Sequence, residues 1–350
     1  MNHDYLSEDL SCLVDALEEL GFSGSTILVT GVTGLIGSLI ARSICTYNKN
    51  HEVKIHCIGM ARDAKKTSKT FEKELSDSDI APYISFIYQD ITMPVPPDVT
   101  CDYIIHTANA TASKFFITNP VEVIDSIYVG SREIFEFGKR AQVKGLVYLS
   151  SMEVFGQVFE EKRACEKDLG YIDLQNIRSC YSEGKRLVEC MAASYAHEYG
   201  VPVKVARLAQ TFGAGVPSTD NRVFAQFARA ALKGDNIILH TKGQSYGNYC
   251  YTTDTIRAIL MLLKTGVNGE VYTVVNEETT RSIYEMACMV ADEFSEGKSS
   301  VEFDIPEENK FGYAPDTKLK LSSAKLNALG WKAKYSLKEM YERMIPDLVE

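Results

Sequence analysis

Positive charge, paired cysteines and long apolar runs are all scarce in this chain, and each scarcity narrows what it can be. There are 37 Lys and Arg against 47 Asp and Glu, a formal net charge of -10. Non-specific nucleic-acid binding is driven by neutralising phosphates, so no nucleic-acid partner is expected. An anionic small substrate stays open, because a local cationic pocket can form on an acidic protein. The nine cysteines stand singly at Cys12, Cys45, Cys57, Cys101, Cys165, Cys180, Cys190, Cys250 and Cys288, with no C-x-x-C pair. An odd count without framework spacing excludes a disulfide scaffold and a zinc site, and points to a reducing compartment. No stretch approaches the ~20 apolar residues of a membrane span. The first 20 residues are acidic, with no apolar run, so a signal peptide is not expected and a cytoplasmic location is.

What is present is an ordinary balance of 45% hydrophobic and 24% charged residues over 350 positions. That length accommodates one large α/β unit with a smaller appended region. Residues 5–20 read as an amphipathic helix, with Leu6, Leu10, Leu13, Val14, Leu17 and Leu20 on one side. It is expected to pack on the domain or on a partner. Apolar runs at 26–30, 53–60, 84–88, 103–108, 145–150 and 203–208 read as strands, with helices in most of the gaps. This cadence predicts a Rossmann-like, doubly wound parallel sheet, an α/β fold. The rhythm changes after about 209, where 213–220 reads as a loop. An amphipathic helix at 222–232, short strands and a last helix capped by Ser336 and Glu339 follow. The expected division is a leading helix at 1–24, a dinucleotide-binding domain at 25–209 and a smaller α/β substrate domain at 210–350, with some later segments returning to the first.

The first strand runs directly into Gly31, Val32, Thr33, Gly34, Leu35, Ile36 and Gly37, which open a helix running to about Cys45. Glycines there tighten the turn and bring backbone close to a pyrophosphate on the helix N-terminus. The spacing is G-x-x-G-x-x-G rather than G-x-G-x-x-G, and such a motif alone is often only a tight turn. The second strand ends in Met60, Ala61 and Arg62, where an acidic residue would hold the ribose hydroxyls of NAD. Arg62 could accommodate the 2′-phosphate of NADP, and fits equally as a solvated loop residue. Asp90 and Ile91 follow the third strand; the small residue Ala108 follows the fourth, leaving room for a cofactor across its tip. His106 reads as a locally hydrogen-bonded residue rather than a catalyst. Asn119 and Pro120 cap a long helix.

Tyr181 and Lys185 lie four apart at the start of another helix, on one face and one turn apart. An ammonium against a phenol favours the phenolate and brings a pKa near ~10 toward the working range. Two half-exposed helix residues are the plain alternative, unless the chain also offers a dinucleotide site and a hydroxyl partner. Ser151, after the fifth strand, is that partner. The glycine loop, Asp90, Ala108, Ser151 and Gln210 all fall at the carboxyl ends of strands, where ligands bind in such sheets.

With these residues in order, the chain resembles the extended short-chain dehydrogenase/reductases of the nucleotide-sugar epimerase/dehydratase family, from about Ser25 to the C-terminus. The motifs that carry the resemblance are 30–37, Asp90 with Ile91, 150–156, Tyr181 with Lys185, and Leu329, Gly330 and Trp331. Within the family the helix start at 178–186 and the stretch 205–213 resemble UDP-glucuronate decarboxylases, with Gln210 where the family has asparagine. Ser151, Met152 and Glu153 align with a Thr-Ser-Glu or Thr-Asp-Glu triplet of decarboxylases and 4,6-dehydratases.

The resemblance implies NAD as cofactor, with NADP not excluded, and a nucleotide-diphosphate sugar as substrate. Tyr181 would take the proton of the sugar 4-hydroxyl while the C4 hydride is removed. Ser151 would hold the same hydroxyl, and Lys185 the nicotinamide ribose. The resulting 4-keto sugar can lose a C5 carboxylate, lose water or be re-reduced from the other face. Glu153 would serve an acid or base role near C5, which suits elimination or decarboxylation rather than simple 4-epimerisation, and Met152 counts against an ordinary 4,6-dehydratase, so decarboxylation is slightly favoured; a strand-end glutamate bonded to backbone is the alternative for Glu153. Gln210 and Arg222 are the substrate-side candidates, Lys242 and Lys310 weaker ones. Three departures stand out: Gly247 where an arginine usually lies, no arginine in 312–314, and Ile127 for an asparagine. An NADP-dependent carbonyl reductase and a non-enzymatic dinucleotide-binding regulator are the competing readings. Relatives often dimerise through the helices that begin here near Pro120 and Tyr181, so a homodimer is expected by analogy.

Overall fold

The structure is a computed structural model and describes residues 4–109, 113–158, 162–306 and 317–348. Its strands, in chain order, are β1 (Thr26–Thr30), β2 (His56–Ala61), β3 (Ile84–Tyr88), β4 (Tyr103–His106), β5 (Gly145–Ser151), β6 (Val203–Leu208), β7 (Gln210–Phe212), β8 (Ile237–Leu239), β9 (Tyr246–Tyr251), β10 (Val271–Val274), β11 (Asn276–Ser282) and β12 (Val301–Phe303). Seven of them form one sheet in the order β10-β6-β5-β4-β1-β2-β3, every pair parallel. The expected Rossmann-like doubly wound sheet is therefore present, with β10 returning from late in the chain to pair with β6. A three-stranded sheet β11-β9-β7 and a two-stranded sheet β12-β8 lie in the later part.

Parallel strands covered on both faces read as continuous apolar runs, because alternate side chains enter two different cores. Here Ile27 and Val29 of β1 and Val147 and Leu149 of β5 face one core, with the helices Tyr5–Glu19, Leu35–Asn50 and Thr252–Thr265. Leu28, Leu146 and Tyr148 face the other, under the long helices Pro120–Ala141 and Ser179–Tyr199. A separate core holds Phe212, Phe224, Tyr249, Met286, Met340 and Tyr341 in the smaller region.

The leading helix packs on its own chain: buried Asp9 accepts from Tyr251 Oη (2.6 Å) and from Arg343 Nη2 (2.7 Å). Several element ends differ from expectation. β2 starts at His56, not 53, because the Asn48 amide takes up both backbone groups of Ile55 (2.8 Å each) and leaves Val53 exposed. β4 stops at His106, because Thr107 and Ala108 bend over to bond with Thr30. The helix after the glycine turn runs on to Asn50, and that expected at 222–232 is Val223–Lys233. Asn119 does precede Pro120 at a helix start, but makes no side-chain cap bond.

Candidate active site

The glycine turn joins β1 to the helix Leu35–Asn50. Gly31 has φ +64°, and a Cβ there would lie 2.8 Å from Ala108 Cα, so both conformation and space demand glycine. A Cβ on Gly37 would lie 2.6 Å from the Gly31 carbonyl oxygen, which lets helix and turn close together. Gly34 is different. It is exposed, stands at the N-cap of a 16-residue helix, and a Cβ there would meet only the Gly31 carbonyl at 3.3 Å. The chain itself makes little demand for glycine at 34, whereas a ligand lying on the free N–H groups of the first turn would. Thr33, Leu35 and Ile36 complete that half-buried turn. Beyond Ala108, both amide atoms of Asn109 are buried without a hydrogen-bond partner. Buried polar groups without partners are rare. A cradle kept clear of side chains and an amide awaiting a partner fit a dinucleotide here.

His106 is a structural residue. Its Nδ1 bonds Thr30 Oγ1 (2.7 Å) and its Nε2 bonds Ser131 Oγ (3.1 Å), joining β1, β4 and the helix Pro120–Ala141. Burial pulls its pKa down to about 3, so the ring is neutral.

Two further elements bring Tyr181, Lys185 and Ser151 together: β5 ends at Ser151, and the helix Ser179–Tyr199 crosses beside it. Tyr181 is buried and stacked on Phe116 with ring centroids 4.4 Å apart, and its phenol is near enough to the Ser151 hydroxyl for that hydroxyl to favour the phenolate. Lys185 is 2% exposed, donates to the Leu149 carbonyl (2.6 Å), and lies 4.5 Å from the Tyr148 ring centroid. The electrostatics differ from the expectation that Lys185 depresses the tyrosine. Burial pushes the Tyr181 phenol up and the Glu153 charge adds to this, while the nearby Ser151 hydroxyl and Arg178 oppose it. Lys185 is itself pulled down to about 7 by burial, against a pull from Glu189. The physical reason is that both groups are desolvated, and the ammonium points at a backbone carbonyl rather than at the phenol. Ile127, the apolar departure, is fully buried against Gly184, leaving no side-chain amide there.

Glu153 sits on a single 3-10 turn after β5. Its two oxygens take the Arg178 fork, Nη1 at 2.7 Å and Nη2 at 2.9 Å, and Oε2 also accepts from Ser182 (3.4 Å). Its backbone N–H donates to Ser151 Oγ (3.2 Å). The backbone-bonded alternative is not what the carboxylate does: it faces a guanidinium and a serine hydroxyl, and even the N–H of the residue goes to a side chain. Sequence reasoning quoted Arg178 only as part of a motif. The signal was a cation at a helix N-terminus, unfavourable there unless an acid pairs with it. Behind the site, Arg207 Nη2 donates to Glu189 Oε2 (2.6 Å), and Ser150 Oγ donates to Glu189 Oε1 (2.6 Å). Those residues too were missed; an arginine within an apolar strand, and a glutamate one turn after Lys185, were the signals.

The remaining candidates are more scattered. Arg62, exposed after β2, pairs with Asp90 at 3.7 Å, and Asp90 also accepts from Thr92 N–H and Oγ1. The Ile91 side chain turns into the core against Gly130. Gln210 starts β7, half-buried, with its main chain paired to Tyr249. Arg222 forks onto Asp220 (Nη2–Oδ2 2.6 Å) with its guanidinium 4.6 Å from the Phe224 ring centroid, so its charge is already partnered. Where the arginine was expected, a Cβ on Gly247 would collide with Tyr249 Oη. Lys242 lies in the smaller region; Lys310 and 312–314 lie outside the described residues.

This sheet and glycine turn form a Rossmann-like α/β scaffold with Ser151, Tyr181 and Lys185 gathered at one strand-end edge. The family model for the NAD dependent epimerase/dehydratase family matches residues 27–276, and the chain belongs to that family. UDP-glucuronic acid decarboxylase 6 of Arabidopsis thaliana is 28% identical over 317 residues, covering 91% of this chain and 87% of the relative. UDP-glucuronic acid decarboxylase 1 of Danio rerio is 26% identical over 327 residues, 91% of this chain and 71% of the relative. Among solved structures, a UDP-glucose 4-epimerase of Thermotoga maritima superposes with a TM-score of 0.75 at 20% identity, covering 93% of this chain and 98% of that one. A dTDP-glucose 4,6-dehydratase of Bacillus anthracis in complex with NAD gives 0.72 at 19% identity, covering 92% and 96%. No helix of the described residues is long and apolar enough to cross a membrane.

Proposed function

We propose that this enzyme uses NAD to oxidise C4 of a nucleotide-diphosphate sugar transiently, and that it favours decarboxylation of a UDP-glucuronate-like uronate over dehydration and 4-epimerisation. The observation that carries the reading is the placement of Ser151 at the end of β5 beside the helix start that bears Tyr181 and Lys185, on the strand-end edge that also carries the glycine turn. NAD, when bound, supplies the hydride acceptor. Tyr181 Oη, acting as the phenolate after losing its own proton to solvent, takes the proton of the 4-hydroxyl, Ser151 Oγ orients that hydroxyl, and Lys185 holds the cofactor ribose. Gly31, Gly34 and Gly37 leave the pyrophosphate its space, and Asn109 offers an amide to whatever lies across β4.

Decarboxylation is favoured on two grounds. The named relatives that span about nine-tenths of this chain are decarboxylases of this kind. Loss of CO2 from a β-keto acid needs no acid for a leaving hydroxyl, and both Glu153 oxygens are occupied by Arg178. NAD is favoured over NADP because the Arg62 charge is shared with Asp90. A homodimer through the two long helices is part of the same proposal, supported by exposed Val121, Ile124 and Leu187 on their surfaces. So is a cytoplasmic location.

Incubation with UDP-, dTDP-, GDP- and CDP-sugars, read by mass spectrometry, separates loss of CO2, loss of water and unchanged mass. Tyr181→Phe should abolish turnover and leave NAD binding nearly intact. No turnover of any activated sugar, net NADPH consumption, or unchanged turnover in the variant would each refute the corresponding part.

A further inference from the structure

We propose that Arg178 is a positioning residue for the chemistry at Tyr181: its guanidinium fixes the Glu153 carboxylate inside the site and offsets that carboxylate's charge at the phenol. The inference rests on reading Tyr181 as the reacting base.

The geometry is that of a two-point clamp. Nη1 and Nη2 each donate to a different Glu153 oxygen, at 2.7 and 2.9 Å, and both side chains are only about a quarter exposed, 23% and 29%. Parallel donors fix orientation as well as distance, which a lysine cannot do. The clamp joins two elements that each carry a reacting hydroxyl. Glu153 lies two residues after Ser151 on the turn Met152–Phe155, and Arg178 lies three before Tyr181 at the helix N-cap. Phe116 spans the same gap, stacked on Tyr181 at 4.4 Å with the guanidinium 5.7 Å from its ring centroid. A cation at a helix N-terminus opposes the helix dipole, so its placement here is held by the acid it meets.

The charges that face Tyr181 have opposite senses. From the turn come Ser151 and Glu153, from its own helix Arg178, Cys180 and Lys185, from β5 Tyr148, and from the helix Ser113–Thr118 the apolar face of Phe116. Glu153 raises the phenol's pKa and Arg178 lowers it. With Arg178 removed, a carboxylate would stand beside the phenol uncountered. With Glu153 removed, the guanidinium would act alone.

The test uses the full chain with NAD added. Tyrosinate absorbance is titrated for the parent, Arg178→Gln, Glu153→Gln and the double variant, each against its own Tyr181→Phe counterpart. The midpoint of Tyr181 should rise by about one pH unit or more in Arg178→Gln and fall by a similar amount in Glu153→Gln. The double variant should return to within about half a unit of the parent. Arg178→Lys keeps the charge but not the fork, so its midpoint should stay near the parent's while kcat falls about tenfold or more with KM little changed. It also carries the test if the glutamine variant does not fold. Midpoints that stay put or move in the same direction in both single variants, or a lysine variant with parental kcat, would overturn the proposal. The titration needs no turnover, so a parent protein inactive on every sugar would sink the function while the midpoints still decide the role of Arg178.

Discussion

Replacing Lys185 by methionine should stabilise the folded chain while abolishing its chemistry. The side chain is 2% exposed, and its contact to a formal acceptor is the Leu149 carbonyl. Burial pulls its pKa from 10.5 to about 7. At about 1.4 kcal/mol per pH unit, that gap corresponds to about 5 kcal/mol for keeping an ammonium there. Methionine retains the aliphatic stem but leaves the Leu149 carbonyl without its donor, a loss of about 1 to 3 kcal/mol. The net gain near pH 6 is then about 2 to 4 kcal/mol.

The pH dependence separates this cause from better packing. The folded lysine releases its proton near pH 7 and the unfolded one near 10.5. Between those values the unfolded chain binds more protons, so the native protein's stability rises with pH. The burial penalty is complete below about 7 and gone above about 10.5. From about pH 7 to about pH 8.5 the native protein should gain about 2 kcal/mol that the methionine variant does not. Urea unfolding of both proteins, stripped of nucleotide, at about pH 6, 7 and 8.5 measures this. Parallel stability curves, or a variant less stable at pH 6, would refute the account of Lys185 as a strained ammonium.

The glycine turn offers a paired comparison. Gly37→Ala forces a Cβ to within 2.6 Å of a backbone oxygen and should lose both stability and NAD binding. Gly34→Ala should keep its unfolding temperature within about 2 °C, yet weaken NAD about tenfold or more, about 1.4 kcal/mol, by isothermal titration. Behind the site, Glu189→Gln breaks the charge pairing of Arg207, whose side chain is 4% exposed, and should cost about 3 to 5 kcal/mol in urea unfolding. Methionine at both 189 and 207 should restore most of that loss.

Much of the fold was legible because two periodicities announce it. Runs such as 145–150 and 203–208 are apolar throughout because both faces of a parallel strand are covered, and that pattern needs no tertiary knowledge. Element ends were less legible wherever a side chain overrode the run. Asn48, in the preceding helix, takes both backbone groups of Ile55, and nothing in residues 53–60 reveals it. At the site, the sequence offered Tyr181, Lys185 and Ser151 as a set but not their electrostatics. Four-residue spacing places Lys185 on the tyrosine's face of the helix, whereas its direction is set by Leu149 on β5 and its charge state by burial. Pairings across long separations, Glu153 with Arg178 and Glu189 with Arg207, depend on how the helix lies on the sheet.

The missing arginine at 247 shows the same limit from the other side. From sequence it is a bare absence, one glycine where the family has a cation. In the structure residues 247 and 249 point to the same side of β9, and Tyr249 is buried with its ring among Phe212 and Tyr341. Its hydroxyl fills the space that any side chain at 247 would enter. Glycine at 247 and tyrosine at 249 are thus one packing solution, and an arginine cannot be put back without moving a core aromatic. A diphosphate bound by this chain must find its positive charge elsewhere. Arg222 can provide it only by opening its fork on Asp220, whose carboxyl burial pushes up but the bonds and charge of Arg222 together bring below its usual range. Substrate binding through Arg222 would therefore displace an internal anion with an external one. Such an exchange would discriminate between a diphosphate and a neutral sugar without any added cation.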